Sequence, residues 1–193
     1  LQLKIEEFLL KNGSKGKVSE LVPLTGGASA ETWSFTFSSK NKSERMILRR
    51  GSGKRSPLAV LKSEEAVIQQ KVKSSGAPVP TIVAISSGDK DLGDAYLMRL
   101  IPGESIARKI LRDKKFSAAR QKLAFQCGEA LAKIHSVNLN DFDQVPKKPI
   151  REELKRLYLT YRSFEQPLPV FEYAFKWLDK QDFTTRNDAL VHG

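Results

Sequence analysis

The sequence predicts an α+β chain in two lobes: an antiparallel β-rich first lobe with a helix packed on its sheet, then a helical second lobe. Three observations lead there. Residues 1–101 hold five segments of strand character, with one long helical pattern inserted among them. A Pro102-Gly103 break follows the fifth. Beyond it, apolar residues recur at helical spacing almost to the end of the chain. The expected boundaries are 1–101 and 102–193.

In order, Leu1, Ile5, Phe8 and Leu9 share one helical face, and Asn12-Gly13 is a stop signal. Val18 to Leu24 reads as a strand, Thr25 to Ser29 as a glycine-containing turn, and Thr32 to Phe37 as a strand with Trp33, Phe35 and Phe37 on one face. After the polar turn Ser38 to Ser43, Met46-Ile47-Leu48 forms a third strand that ends in Arg49-Arg50. Gly51 to Pro57 is a basic loop. A helix is expected from Ala59 to Ser74, with Leu61, Ile68 and Val72 on its apolar side. Gly76 to Pro80 stops it. Thr81 to Ser86 and Ala95 to Ile101 are the last two strands of the lobe, joined by the turn Gly88 to Gly93.

The second lobe begins with a long amphipathic pattern, Phe116 to His135, bearing Leu123, Cys127, Leu131 and Ile134. Free cysteine is commonly buried, so Cys127 is expected in the core. His135, closing that helix, reads as a packing and hydrogen-bonding residue. A break at Pro146 to Pro149 separates two more helical patterns, Ile150 to Phe164 and Val170 to Leu178. A short apolar strand, Ala189-Leu190-Val191, then runs into His192-Gly193.

Composition narrows the partners. Of 193 residues, 40% are hydrophobic and 28% charged, which is globular. No run approaches the ~20 apolar residues of a membrane helix. The opening residues lack the apolar centre of a secretory signal and there is no initiator methionine. A single cysteine excludes an internal disulfide and offers no metal cluster, so a reducing, cytoplasmic setting is expected and no metal-binding residue is assigned. The net charge of +11, from 33 basic and 22 acidic residues, suits a polyanion. Lysines spread along the whole chain also read as a solvated surface.

Four places carry residues of chemical interest. Gly26, Gly27, Ala28 and Ser29 form a turn whose small side chains let backbone N–H groups approach phosphate oxygens. An ordinary hairpin turn needs the same glycines, and neither Gly-x-Gly-x-x-Gly nor a Walker loop is present. Arg49 closes a strand downstream and offers a fork of donors. Glu65, in the following helix, is its natural acidic partner, though it also reads as a solvated helix charge, as does its neighbour Glu64. Met98, Arg99, Leu100 and Ile101 form a strand and linker whose backbone could hold a flat heterocycle.

Together these segments resemble the aminoglycoside phosphotransferase and choline kinase superfamily, whose fold is that of protein kinases. The nearest likeness is to the small-molecule kinases associated with acyl-CoA dehydrogenases. The residues that carry it are Leu24 to Trp33, Ile47 to Arg50, Pro78-Val79-Pro80, Met98 to Gly103, Ala130 to His135 and Leu190 to Gly193, in the family's order. The resemblance implies that Gly26 to Ser29 cover the phosphates of ATP, with GTP as the alternative. It implies that Arg49 stands where most of the superfamily has lysine, paired to Glu65, and that Met98 to Ile101 line the purine. His192 and Gly193 would open the catalytic loop. The family's next residue is its catalytic aspartate, followed by an asparagine and a magnesium-binding aspartate. None of these three is present, so the chain as it stands is expected to be inactive, with Mg2+ belonging to the complete enzyme.

The expected partners are a nucleotide and a small hydroxylated acceptor: an aminoglycoside, a choline-like alcohol or a hydroxyacyl-CoA. The run Arg45, Arg49, Arg50, Lys54, Arg55 would suit a phosphate-rich ligand such as CoA, or be a solvated loop. A pseudokinase or a basic nucleic-acid-binding module is the alternative. The latter is disfavoured because no recognition motif appears and Trp33, Phe35 and Phe37 look like a buried face. Membrane association is not expected, and the oligomeric state is not legible.

Overall fold

The computed structural model describes the chain except for residues 25–29, 41, 52–59, 91, 143–144, 146, 185–187 and 192–193. The chain divides into two compact units, Leu1–Phe142 with Leu190–Gly193, and Asp143–Ala189. The fold is α+β and kinase-like, as expected.

The first unit is built on five strands: β1 (Lys17–Pro23), β2 (Ala30–Ser39), β3 (Lys42–Gly51), β4 (Ile82–Asp89) and β5 (Gly93–Arg99). All neighbours are antiparallel, in the order β1-β2-β3-β5-β4. The fifth strand therefore inserts between the third and fourth. This departure from chain order gives β5 two hydrogen-bonded edges and places it beside β3.

Side chains alternate across a sheet, so each strand serves two faces. On one face Phe35, Phe37, Met46, Leu48, Ala95 and Leu97 are buried together, with Trp33 packed against them. Helix α1 (Gln2–Lys11) closes this face with Ile5, Phe8 and Leu9. It ends where Gly13 turns left-handed (φ 81°), and the Ser14 N–H reaches back to the Leu9 carbonyl at 2.8 Å. Glu6 ties the helix to β1 by accepting the Val18 N–H at 2.8 Å.

The opposite face carries helix α2 (Lys62–Lys73), which buries Ser63, Ala66 and Val72. Expected from Ala59, it starts at Lys62. After β5, α3 (Ala107–Arg112), a 3-10 turn (Lys114–Phe116) and α4 (Ser117–His135) follow. Arg120 joins them, donating to the carbonyls of Ile110 and Asp113 at 2.8 and 2.9 Å.

Two expectations fail here. Cys127 is exposed rather than core, because α4 buries none of its residues and only Ala130, Leu131 and Ile134 of its apolar positions are half-covered. Ala189-Leu190-Val191 forms no strand, although Leu190 is buried. A strand exists only through a ladder with a neighbour, and three apolar residues do not create one.

The second unit is a helical hairpin of α5 (Ile150–Ser163) and α6 (Pro169–Asp179). Tyr161 stacks on Phe175 at 5.6 Å, and its hydroxyl accepts the Leu168 N–H at 2.7 Å, closing the start of α6. Arg162 and Glu172 pair across the hairpin at 3.0 Å. No helix among the described residues is long and apolar enough to cross a membrane.

Candidate functional site

Arg49 and Tyr96 are direct partners in the β3–β5 ladder, so their side chains leave the sheet together on the α2 face. Asp94 and Met98 lie two residues to either side of Tyr96 on that face. From α2, Glu65 meets this row. Its Oε1 accepts the Tyr96 hydroxyl at 2.8 Å and lies 3.3 Å from the Arg49 guanidinium. Its Oε2 takes the Lys62 ammonium at 2.5 Å, one helical turn earlier. Gln69, one turn later, donates to the Tyr96 oxygen at 3.1 Å.

The start of α2 is fixed from the sheet. Its N-cap position is Leu61, which has no side-chain acceptor to offer. Asp94 supplies one from β5, accepting the N–H groups of Lys62 and Ser63 at 2.7 and 2.9 Å and the Ser63 hydroxyl at 2.8 Å. Glu64 accepts the Leu61 N–H at 2.8 Å. A carboxylate at a helix N-terminus meets orphan donors and the positive end of the dipole together.

The electrostatics follow from this packing. Burial alone would raise the Glu65 carboxyl, but hydrogen bonds from Lys62 and Tyr96, and the charges of Arg49 and Lys62, outweigh it and hold the group below the ordinary glutamate range. Tyr96 is fully buried, and burial together with the Glu65 charge pushes its phenol up to about 12. The site is a half-buried, ionised acid flanked by two cations and a neutral phenol.

Arg49 has donors to spare. Its Nε is buried with no hydrogen-bond partner among the described residues, while the side chain stays 31% exposed. A half-buried guanidinium, still partly exposed beside its carboxylate partner, suits an anionic ligand. Metal is different: among the described residues no group of three or more His, Cys, Asp or Glu side chains could hold an ion. Mg2+ commonly takes only one or two carboxylates beside substrate phosphates, and no ligand for it is assigned here.

Of the residues singled out by sequence, Arg49 and Glu65 come together. Met98 shares the face of Tyr96. Arg99 is exposed, pairs with Glu44 at 3.3 Å, and donates its N–H to the Thr81 carbonyl. The Leu100 N–H is taken by the Arg45 carbonyl at 3.0 Å, and Ile101 is exposed beyond that pairing. Gly26, Gly27, Ala28, Ser29, His192 and Gly193 lie outside the described residues, as do Lys54 and Arg55. His135 is exposed at the end of α4. Sequence reasoning missed Lys62, Gln69, Asp94 and Tyr96. The helical spacing of Lys62 and Gln69 around Glu65, and the alternation Asp94, Tyr96, Met98, were the available signals.

The comparison with known families bears on this arrangement. A model of the phosphotransferase enzyme family (APH) matches residues 20–193. The chain belongs to that family. The phosphotransferase family acts on small molecules and generally uses ATP and Mg2+. The match agrees with the resemblance to aminoglycoside phosphotransferases and choline kinases. It begins within β1 and takes in every strand that builds the Arg49–Glu65 site of this phosphotransferase. No curated protein matches the sequence.

Proposed function

We propose that this chain holds the nucleotide of an ATP-dependent phosphotransferase that moves the γ-phosphoryl group to a hydroxyl of a small acceptor. The supporting observation is the Arg49–Glu65 pair, which holds a half-buried guanidinium on the sheet's α2 face, its Nε–H unpaired among the described residues. Residues 1–101 act as the nucleotide lobe and 102–193 as the start of the helical lobe.

In this reading Arg49 binds non-bridging phosphate oxygens and Glu65 orients it. Lys62 places a second positive charge beside the same carboxylate. Both cations spread the negative charge that develops during transfer. Gly26 to Ser29 cover the phosphates. Met98 to Ile101 receive the purine, and since the N–H groups of Arg99 and Leu100 are already spent, Ile101 supplies the first backbone donor past the ladder. His192 and Gly193 open the catalytic loop. ATP is the donor, and the acceptor is an aminoglycoside-, choline- or hydroxyacyl-CoA-like alcohol. Mg2+ is the family's companion ion, and no ligand for it is assigned among the described residues.

Calorimetric titration of the purified protein with ATP, and with GTP in competition, tests the binding. Terminal-phosphate transfer from labelled ATP to a panel of hydroxylated acceptors, with the full chain that the gene encodes, tests the reaction. Saturable ATP binding lost in Arg49→Ala is expected. Salt-dependent DNA binding with no response to ATP would instead mark a basic nucleic-acid module.

A further inference from the structure

We propose, on the reading of Arg49 as a phosphate contact, that Asp94 and Tyr96 are positioning residues: from one face of β5 they fasten helix α2 so that Glu65 already engages Arg49 before a nucleotide binds.

The argument begins with the helix start. A helix ordinarily satisfies its first N–H groups with the side chain of its own N-cap residue, and such a cap travels with the helix wherever it lies. Leu61 cannot do this. The acceptor comes instead from Asp94, 32 and 31 positions away from the Lys62 and Ser63 amides it receives. A borrowed cap is satisfied only while the helix rests on β5. Displacing α2 would leave two backbone amides, the Ser63 hydroxyl and the Asp94 carboxylate without one another.

The second fastening lies two residues along the same strand face. Tyr96 is fully buried, donates to Glu65 and receives Gln69. The two fastenings grip α2 at Ser63 and at Glu65–Gln69, so sliding and rotation are both opposed. Because Tyr96 sits opposite Arg49 in the ladder, the residue that holds Glu65 is in fixed register with the residue that Glu65 must meet. The placement of the ion pair is thus written into the sheet rather than left to two long side chains.

A local cap separates positioning from mere stabilisation. Asp94→Ala removes the borrowed cap, and Leu61→Ser in the same chain supplies a helix-borne one, with Leu61→Ser alone as control. Two readouts are taken on each protein: the Kd for ATP by calorimetry, and the ionisation of Tyr96 followed by NMR of its labelled ring. The double variant is expected to recover thermal stability, yet to bind ATP about tenfold more weakly, the scale of one charge-assisted hydrogen bond. Its Tyr96 is expected to ionise at lower pH than in the parent, because Glu65 has moved away. A double variant with parental Tyr96 ionisation and parental affinity overturns the proposal. If the parent itself binds no ATP, the nucleotide reading falls, and Tyr96 ionisation alone decides whether Asp94 positions Glu65.

Discussion

Arg49 and Tyr96 stand directly across the β3–β5 ladder from each other, and both side chains end at one atom, Glu65 Oε1. That convergence makes the carboxylate the centre of the face, since a third partner, Lys62, holds its other oxygen. Removing the carboxylate charge affects three neighbours at once.

Glu65→Gln should therefore cost more than Glu64→Gln, although the two residues are adjacent. The first leaves Arg49 and Lys62 without their shared counter-charge, worth about 1–3 kcal/mol for partly buried charged hydrogen bonds. The second keeps an amide oxygen that can accept the Leu61 N–H and loses only a negative charge near the helix N-terminus. Urea unfolding of both variants checks this, and equal midpoints would sink it.

Acid should erase that difference. The Glu65 carboxyl is held below its ordinary range, so its contribution to stability is present above that range and is lost as pH falls through the folded-state value. Parent and Glu65→Gln should diverge most near neutrality and converge only once pH has fallen below the ordinary glutamate range and through the lowered folded-state value. Denaturant midpoints at stepped pH read this out. A gap that stays constant on acidification refutes the assignment.

Tyr96 predicts an alkaline counterpart with the opposite sign. Its phenol is raised to about 12, so the folded state keeps a proton that the unfolded chain gives up near 10. The resulting stability is full below about 10 and is lost as pH rises through the folded value. Tyr96→Phe should lose about 1 kcal/mol at neutral pH, the usual worth of one hydrogen bond, and show a shallower alkaline decline than the parent. Parallel alkaline curves would contradict the buried Tyr96–Glu65 contact.

Arg49→Lys keeps a charge but not the planar fork that can serve Glu65 and a phosphate together. ATP affinity should fall in the order parent, Arg49→Lys, Arg49→Ala. The last should lose roughly tenfold or more, the lower end of a charged hydrogen bond at ~1.5–3 kcal/mol. If Arg49→Ala binds ATP as the parent does, Arg49 is no phosphate ligand.

Gly16 gives a prediction about the scaffold. A Cβ there would lie 2.5 Å from the Ser38 carbonyl oxygen and 2.5 Å from the Phe37 ring. The carbonyl belongs to the backbone and cannot step aside. Gly16→Ala should destabilise by about 1–3 kcal/mol, as overpacking does, whereas open space around Gly103 makes Gly103→Ala a suitable control. Thermal melts of the pair decide it.

The first lobe was legible because its signals are short-range. Trp33, Phe35 and Phe37 alternate at the period of a strand, and Asn12-Gly13 offers a left-handed turn where α1 must stop. The order of Arg49 and Glu65 brought out the ion pair. What stayed hidden depends on the strand order. Asp94 and Tyr96 matter only because β5 pairs with β3 rather than lying outside β4, and nothing in the local pattern says so. Helix α3 escaped notice since its six residues, Ala107–Arg112, are too few to show an apolar stripe. Cys127 was misjudged for the opposite reason: its helix pattern is plain, but a pattern does not tell whether its apolar side is covered.

Asp94 also bears on the order in which the chain becomes structured. When a ribosome has extended the polypeptide as far as Lys73, every residue of α2 exists but the acceptor for its opening amides does not. That acceptor arrives 31 residues after Ser63, with the strand that must slip between two others to deliver it. During synthesis α2 has β3 and β4 to pack on first, but its opening amides lack their acceptor until β5 emerges. The cap of α2 therefore depends on a residue made well after the helix itself.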